Sequence, residues 1–277
     1  MNWKTLYTRT GTAIVFGIIM LIGLLGPAEL FSILFAVVQF LCIKEYFLLI
    51  EKINPEYKFS KSLKYSVQVV AAIMVMMISP LMQLPLSCLS IVIAFPIIYL
   101  LITVINSSPS QFASGFVLLG AFLYITLPIA CLILMREKSL VLPLGLIVSI
   151  WINDTMAYLV GSFIGKTPFS EISPKKTWEG TIGGALLTVI VAAIYGYFSP
   201  YYNIQQWILL ALCAAIAGTI GDLFESKLKR LANVKDSGNF MPGHGGALDR
   251  FDSLLVATPF AFVTVYLFVE SLNVVLF

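Results

Sequence analysis

Apolar runs of about 20 residues recur along the whole chain, and no other feature restricts its fold so severely. A helix of that length rises about 30 Å, the thickness of a bilayer's hydrocarbon core. Nine runs are legible: Gly11–Gly26, Leu30–Ile50, Tyr65–Met82, Leu86–Ile105, Ala113–Met135, Leu140–Gly165, Thr181–Phe198, Trp207–Glu225 and Ser253–Phe277. Charged residues make up only 11% of the 277, against about 25% in soluble domains. With 59% hydrophobic residues, the apolar surface exceeds what one water-soluble core can hide. In lipid each segment must satisfy its own backbone groups, which leaves helices as the form open to these runs. The expected fold is all-α: a polytopic integral membrane protein with about nine transmembrane helices.

Lysine and arginine positions orient the helices. With the N-terminus in the cytoplasm, 15 of the 17 basic residues fall on the cytoplasmic side, and only Arg136 and Lys138 fall outside. The positive-inside rule therefore predicts a cytoplasmic N-terminus and an external C-terminus. Lys4 and Arg9 precede an apolar run, as in a signal peptide. Gly26-Pro27-Ala28 is a poor cleavage site, however, and further spans follow, so the first span is expected to stay in place. Cys42, Cys88, Cys131 and Cys213 are scattered singly through apolar runs and read as small buried side chains.

Charge inside a span is costly, about 2.5–3.5 kcal/mol per group on insertion scales. Two spans accept that cost. The sixth contains Asn153, Asp154 and Tyr158, with Asp154 and Tyr158 at i,i+4. These read as one wall of a polar cavity. Gly161 with Gly165, and Gly180 with Gly184, form GxxxG pairs that let another helix approach closely. Helical winding of the eighth span puts Gly218, Asp222, Glu225, Ser226 and Lys229 on one stripe. Snorkelling accounts for the basic end of that helix but not for Asp222, about two turns deeper. The expected organisation is a scaffold of transmembrane helices over residues 1–140. Residues 141–277 form a second transmembrane region that carries the chemistry in a polar cleft facing the cytoplasm.

Two connections are rich in charge. Lys166–Gly180 is broken by Pro168 and Pro174 and projects Lys175 and Lys176. Its Gly165-Lys166-Thr167 imitates the end of a nucleotide-binding P-loop, but Val160 stands where that motif needs its first glycine. The second connection begins KDSGNFMPGHGGALDRFD at Lys235. Its eighteen residues hold five charges, five glycines or prolines and the chain's single histidine. Glycine amides can approach an anion closely. Asp249 and Asp252, at i,i+3, suit the first turn of the last helix. Hard carboxylates without a second histidine fit Mg²⁺ better than zinc. His244 reads as a residue that positions a phosphate or orders the loop, with proton abstraction as the alternative. Basic groups, a glycine loop and deep carboxylates suit phosphoryl or nucleotidyl transfer, where positioning and charge neutralisation do most of the work.

The run Ser226…Lys229-Arg230…Lys235-Asp236-Ser237-Gly238…Pro242-Gly243-His244-Gly245-Gly246…Asp249-Arg250…Asp252-Ser253 resembles the signature of phosphatidate cytidylyltransferases, or CDP-diacylglycerol synthases. Gly221-Asp222 and Ser173-Pro174-Lys175-Lys176-Thr177-Trp178-Glu179-Gly180 are similar to further parts of that pattern. The resemblance is close from about Asn153 to Ser253. It implies the reaction of CTP with phosphatidic acid to give CDP-diacylglycerol and pyrophosphate, Mg²⁺-dependent, in phospholipid biosynthesis. It also implies a homodimer among membrane lipids, with the site on the cytoplasmic side of the cell membrane. No nucleic-acid partner is expected.

On this resemblance Asp222 and Asp249 are the expected Mg²⁺ ligands, with Asp252 or Asp236 in support. Asp222, Asp249, Lys229 and Arg250 form the catalytic set. Lys175, Lys176, Arg230 and Lys235 join Lys229 and Arg250 on the phosphates. Gly245 and Gly246 approach the triphosphate. Ser173, Thr177, Ser226, Asp236 and His244 complete the substrate-binding set, and Asn153, Asp154 and Tyr158 line the lipid-phosphate side. The nearest rival is a CTP-dependent lipid-alcohol kinase, against which the PGHGGALDRFD run argues. A CDP-alcohol phosphotransferase would need a DGxxAR-type motif, which the sequence lacks. A secondary transporter could use Asp154 and Asp222 as coupling sites, but the chain shows no repeated halves.

Overall fold

A computed structural model describes residues 3–57, 59–82, 94–102, 105, 109–241 and 245–269. Every regular element among them is a helix, interrupted only by isolated bridges at Pro168–Thr177 and Met241–Gly245. Among the described residues, six helices are long and apolar enough to cross a membrane: Ala28–Ile53, Ser114–Lys138, Val141–Ile164, Trp178–Phe198, Ile204–Leu231 and Leu248–Leu267. A shorter apolar helix covers Thr10–Leu25. The chain divides into two compact units, Met1–Lys138 with Leu228–Phe251, and Ser139–Lys227 with Asp252–Phe277.

The first unit begins with α1 (Trp3–Leu25) and α2 (Ala28–Ile53). Gly26 and Pro27 separate them, since Pro27 cannot continue α1 but serves as the residue before the next helix. Arg136 closes the turn, donating from Nη2 to the Gly26 carbonyl at 2.8 Å while its guanidinium lies 5.9 Å above the Phe31 ring. One of the two basic residues expected on the outside thus has a structural task. Phe31, Phe35, Val38, Cys42 and Leu49 recur on one buried face of α2. Phe35 meets Phe251 edge to face, with centroids 6.2 Å apart. The opposite character belongs to α1, where Ile14, Val15, Ile18 and Ile22 are 52–57% exposed. A surface of that kind is stable against hydrocarbon.

Helix α3 (Lys61–Met77) is capped by Ser60 and ends before Pro80, five residues short of the expected run to Met82. Proline disfavours helical backbone in the residue before it, and Ser79 instead donates its amide to the Met76 carbonyl. Half of the expected fourth span, Leu86–Ile105, lies outside the described residues; its continuous described part, α4, is helical over 94–102. Helices α5 (Pro109–Ala121) and α6 (Leu127–Lys138) join through a π-turn at Phe122–Thr126. Pro128 explains that turn, because its ring removes a ladder hydrogen bond to the preceding turn.

The second unit is built on α7 (Val141–Ile164) and α8 (Trp178–Phe198). Their glycines face one another within the chain. A Cβ on Gly184 would lie 2.8 Å from Ala157, and one on Gly180 would lie 2.9 Å from the Gly161 Cα. The GxxxG signals therefore mark an intramolecular seam, where small residues let two backbones touch. The outer face of α8 carries Ile182, Leu186, Ile190 and Ile194, all 52–59% exposed. Helix α9 (Ile204–Leu212) starts with a capping box between Asn203 and Gln206, three residues before the expected start of that span. A π-turn at Cys213–Ala217 leads into α10 (Gly218–Leu231), which continues past the expected end at Glu225. The last helix, α11 (Leu248–Thr264), begins five residues before Ser253, so Asp249 falls in its first turn as the i,i+3 pattern predicts. Residues 270–277 of the expected ninth span lie outside the described residues.

Gly184→Leu should lower the stability of the detergent-solubilised protein by about 1–3 kcal/mol through overpacking of the seam. Gly17→Leu, where an added Cβ meets nothing within 4 Å, should leave it unchanged or raise it. Thermal melting of the two variants tests the contrast.

Candidate functional site

The expected site residues fall into two clusters, one in each unit. In the second unit, Lys166–Thr177 connects α7 to α8 as a tight double-backed turn. Phe169 donates its amide to the Lys176 carbonyl at 2.8 Å, and Trp178 donates to the Thr167 carbonyl at 3.0 Å. Glu179, in the first turn of α8, fastens the other end. Its carboxylate accepts from the amides of Lys166 and Thr167, each at 3.2 Å, and from the Thr167 hydroxyl at 2.8 Å. The Thr177 hydroxyl caps α8 by accepting from the Gly180 amide at 3.1 Å. The Thr177 hydroxyl thus meets a first-turn amide that has no partner in the helix, and Glu179 meets amides of the connection itself.

This turn delivers Lys176 to Asp222, and the two form a close ion pair. Both are about one-third exposed or less, so the pair is neither fully solvated nor sealed. Asp154 lies within electrostatic range of both, and Asn153 hydrogen-bonds to it. Asn153 is buried, while Tyr158 is 76% exposed. Lys175 is exposed, and Ser173 serves the turn by accepting the Lys176 amide at 3.0 Å. Ser226 is half-buried, and Glu225 beside it is fully buried. The Asp252 Oδ1 accepts from the Ser253 amide at 2.6 Å.

The first unit contains the second cluster, centred on Asp249, whose side chain is 4% exposed. Lys229 pairs with its Oδ1 at 2.7 Å. Its Oδ2 accepts from the amides of Ser237 at 2.8 Å and Gly246 at 2.7 Å, and contacts the Ser237 hydroxyl at 2.9 Å. A buried carboxylate is tolerated when charge and hydrogen bonds both match it, as they do here. Gly245 has φ +84°, in the left-handed region, and a Cβ there would lie 2.7 Å from Asp249 Oδ2. Glycine is required twice at that position, for backbone conformation and for space. Arg230, Lys235, Asp236 and Arg250 are exposed around this cluster. His244, with Pro242 and Gly243, lies outside the described residues.

Residue reading from sequence missed two carboxylates. Glu179 was visible only as part of a motif. Glu45, on α2 in the region expected to be scaffold, accepts hydrogen bonds from the loop that holds Asp249. Its signal was a carboxylate within the apolar run LCIKEYFLLI. Among the described residues, no three His, Cys, Asp or Glu side chains group closely enough to enclose a metal. Carboxylate oxygens are the donors a hard cation takes, and each of the two expected ligands is matched here to an ammonium group, Asp222 by Lys176 and Asp249 by Lys229. Mg²⁺ is usually held by one or two carboxylates and completed by substrate phosphates and water.

Helices of this composition define a multi-pass membrane protein, in which lysine-matched aspartates and a glycine loop form the polar clusters. A sequence profile described as the cytidylyltransferase family matches residues 7–268, and the chain belongs to that family. Among similar proteins, the phosphatidate cytidylyltransferase of Synechocystis sp. is 44% identical over 140 residues, 47% of each chain. The phosphatidate cytidylyltransferase of Bacillus subtilis is 45% identical over 126 residues, 44% of this chain and 46% of its own. That of Staphylococcus aureus is 39% identical over 170 residues, 60% of this chain and 65% of its own. The matched stretch thus spans about half the length of the first two relatives and 65% of the third.

Glu179→Gln should loosen the turn before α8. Limited trypsin digestion should then cut after Lys166, Lys175 or Lys176 several-fold faster than in the wild type, with the rest of the fragment pattern unchanged.

Proposed function

We propose that this protein transfers the cytidylyl group of CTP to phosphatidic acid, giving CDP-diacylglycerol and pyrophosphate, in phospholipid biosynthesis. The observation that carries this reading is the pairing of each central aspartate with a lysine, Lys176 with Asp222 and Lys229 with Asp249. Family membership and the printed names of the relatives support it. An incoming phosphate competes with the aspartate for the same ammonium group. Lys176 and Lys229 are therefore the groups that take phosphate oxygens, with Lys175, Arg230, Lys235 and Arg250 around them as exposed cations. The amide of Gly246 is engaged by Asp249, which holds the glycine loop in a fixed shape for the triphosphate to approach.

The chemistry asks little of a base. A phosphate oxygen of phosphatidic acid attacks the α-phosphorus of CTP, the new P–O bond forms, and the bond to pyrophosphate breaks. The nucleophile is already ionised at neutral pH, so no proton need be removed. Mg²⁺, when bound, would supply charge neutralisation for the phosphates; Asp222 and Asp249 are its proposed ligands, with Asp252 in support. Asn153 and Asp154 are proposed on the lipid-phosphate side, and His244 as a residue that steadies phosphate. The proposed setting is the cytoplasmic side of the cell membrane, as a homodimer.

Purified protein incubated with α-labelled CTP, phosphatidic acid and Mg²⁺ should move label into lipid and release pyrophosphate. Release of CDP instead would identify a kinase, and transport without CTP in sealed vesicles would favour a transporter. Asp249→Asn should lower turnover by about a hundredfold or more; near-normal turnover at low Mg²⁺ would remove Asp249 from the proposed ligand set. His244→Ala should retain measurable activity, and complete loss in a folded variant would favour proton transfer.

A further inference from the structure

Glu45 is a carboxylate in the middle of an apolar helix, 5% exposed, and nothing in the reaction proposed above calls for it. Its surroundings in the first unit are specific. Oε1 accepts from the Ala247 amide at 3.0 Å. Oε2 accepts from the Leu248 amide at 2.8 Å and from the Ser237 hydroxyl at 2.8 Å. Leu248 opens α11, where the first amides of a helix have no internal partner. Most helices recruit a neighbouring Ser, Thr, Asp or Asn for that purpose. Here the preceding residue is Ala247, and the acceptor comes from a helix about 200 residues earlier in the chain.

The neighbouring donors go to Asp249. The amides of Ser237 and Gly246 end on Asp249, while those of Ala247 and Leu248 end on Glu45. Ser237 touches both carboxylates through one hydroxyl, at 2.8 Å and 2.9 Å. A Cβ on Gly238 or on Gly246 would collide with the Glu45 carboxylate. Two glycines of the loop are thus small because Glu45 fills the space beside them. Three donors converge on a side chain that would otherwise be an unmatched charge in an apolar helix, so the arrangement is strongly directional.

We infer that Glu45 is a positioning residue for Asp249: it pins Ser237 and the start of α11 from the far side and so sets where the Asp249 carboxylate points. This rests on the role proposed for Asp249 above. Packing alone gives a different expectation from positioning. Glu45→Gln keeps volume and shape but replaces an acceptor oxygen with an amide that cannot accept from a backbone N–H. A residue that merely fills space would tolerate that change.

The test uses full-length Glu45→Gln protein in detergent, compared with wild type in two measurements. Hydrogen–deuterium exchange at Gly246, Ala247 and Leu248 should be about ten- to a hundredfold faster in the variant. In the CTP and phosphatidic acid assay, kcat should fall about tenfold or more, while KM for CTP changes by less than about threefold. Unchanged exchange overturns the inference whatever the activity. Faster exchange with wild-type kcat also overturns it, because the loop would then be anchored without orienting Asp249. If wild-type protein shows no turnover, the proposed reaction fails, and exchange at Gly246, whose amide serves Asp249, decides the inference alone. Should Glu45→Gln fail to fold, Ser237→Ala removes one link with Glu45 in place. It should shift exchange and kcat in the same direction by a smaller factor, and wild-type values in both would overturn the inference.

Discussion

A charge placed among apolar helices must find its partner before the helix is stable, and the Asp249 cluster depends on that constraint. The carboxylate of Asp249 is nearly sealed from solvent, yet both its oxygens are matched: Lys229 on one, Ser237 and Gly246 on the other. Remove any one and a buried polar group is left without a partner, which costs more than the lost bond was worth. The left-handed Gly245, the turn that returns through Met241 and the start of α11 follow from keeping those donors converged. A similar logic governs Lys176 and Asp222 in the second unit, at lower stakes because both remain partly exposed.

The second unit illustrates the complementary constraint. Its seam between α7 and α8 is built around small residues. Gly161, Gly180 and Gly184 let the helices touch backbone to backbone, with Ala157, Val160 and Thr177 as the side chains that approach the glycines of the seam. In lipid there is no hydrophobic force between helices, so such packing supplies the association. A consequence for chemistry is that the turn carrying Lys176 leaves a rigid pair of helices, and Glu179 and Thr177 then fix its two ends.

Periodicity and composition suffice for helices and spans because they are local properties. The runs at Leu30–Ile50, Leu140–Gly165 and Thr181–Phe198 correspond to Ala28–Ile53, Val141–Ile164 and Trp178–Phe198. Misjudged ends trace to polar caps that hydropathy does not count: Asn203 and Gln206 start α9 early, and Pro80 closes α3 early. The glycine loop and its aspartates were legible as motifs. Glu45 was not, because its partners are about 200 residues away and a lone acid in an apolar run has many possible explanations.

What the amino-acid order settled by itself was the solvent, the helical class and where the polar residues cluster along the chain. A chain this apolar must cross lipid as helices, and its few charges gather in two connections and two spans. Which charge meets which was decided only in three dimensions. Lysine-to-aspartate pairing, the inward aim of Glu45 and the burial of Asn153 beside an exposed Tyr158 depend on how helices rotate and approach. Those rotations are set by packing between segments far apart in sequence, and no local pattern encodes them.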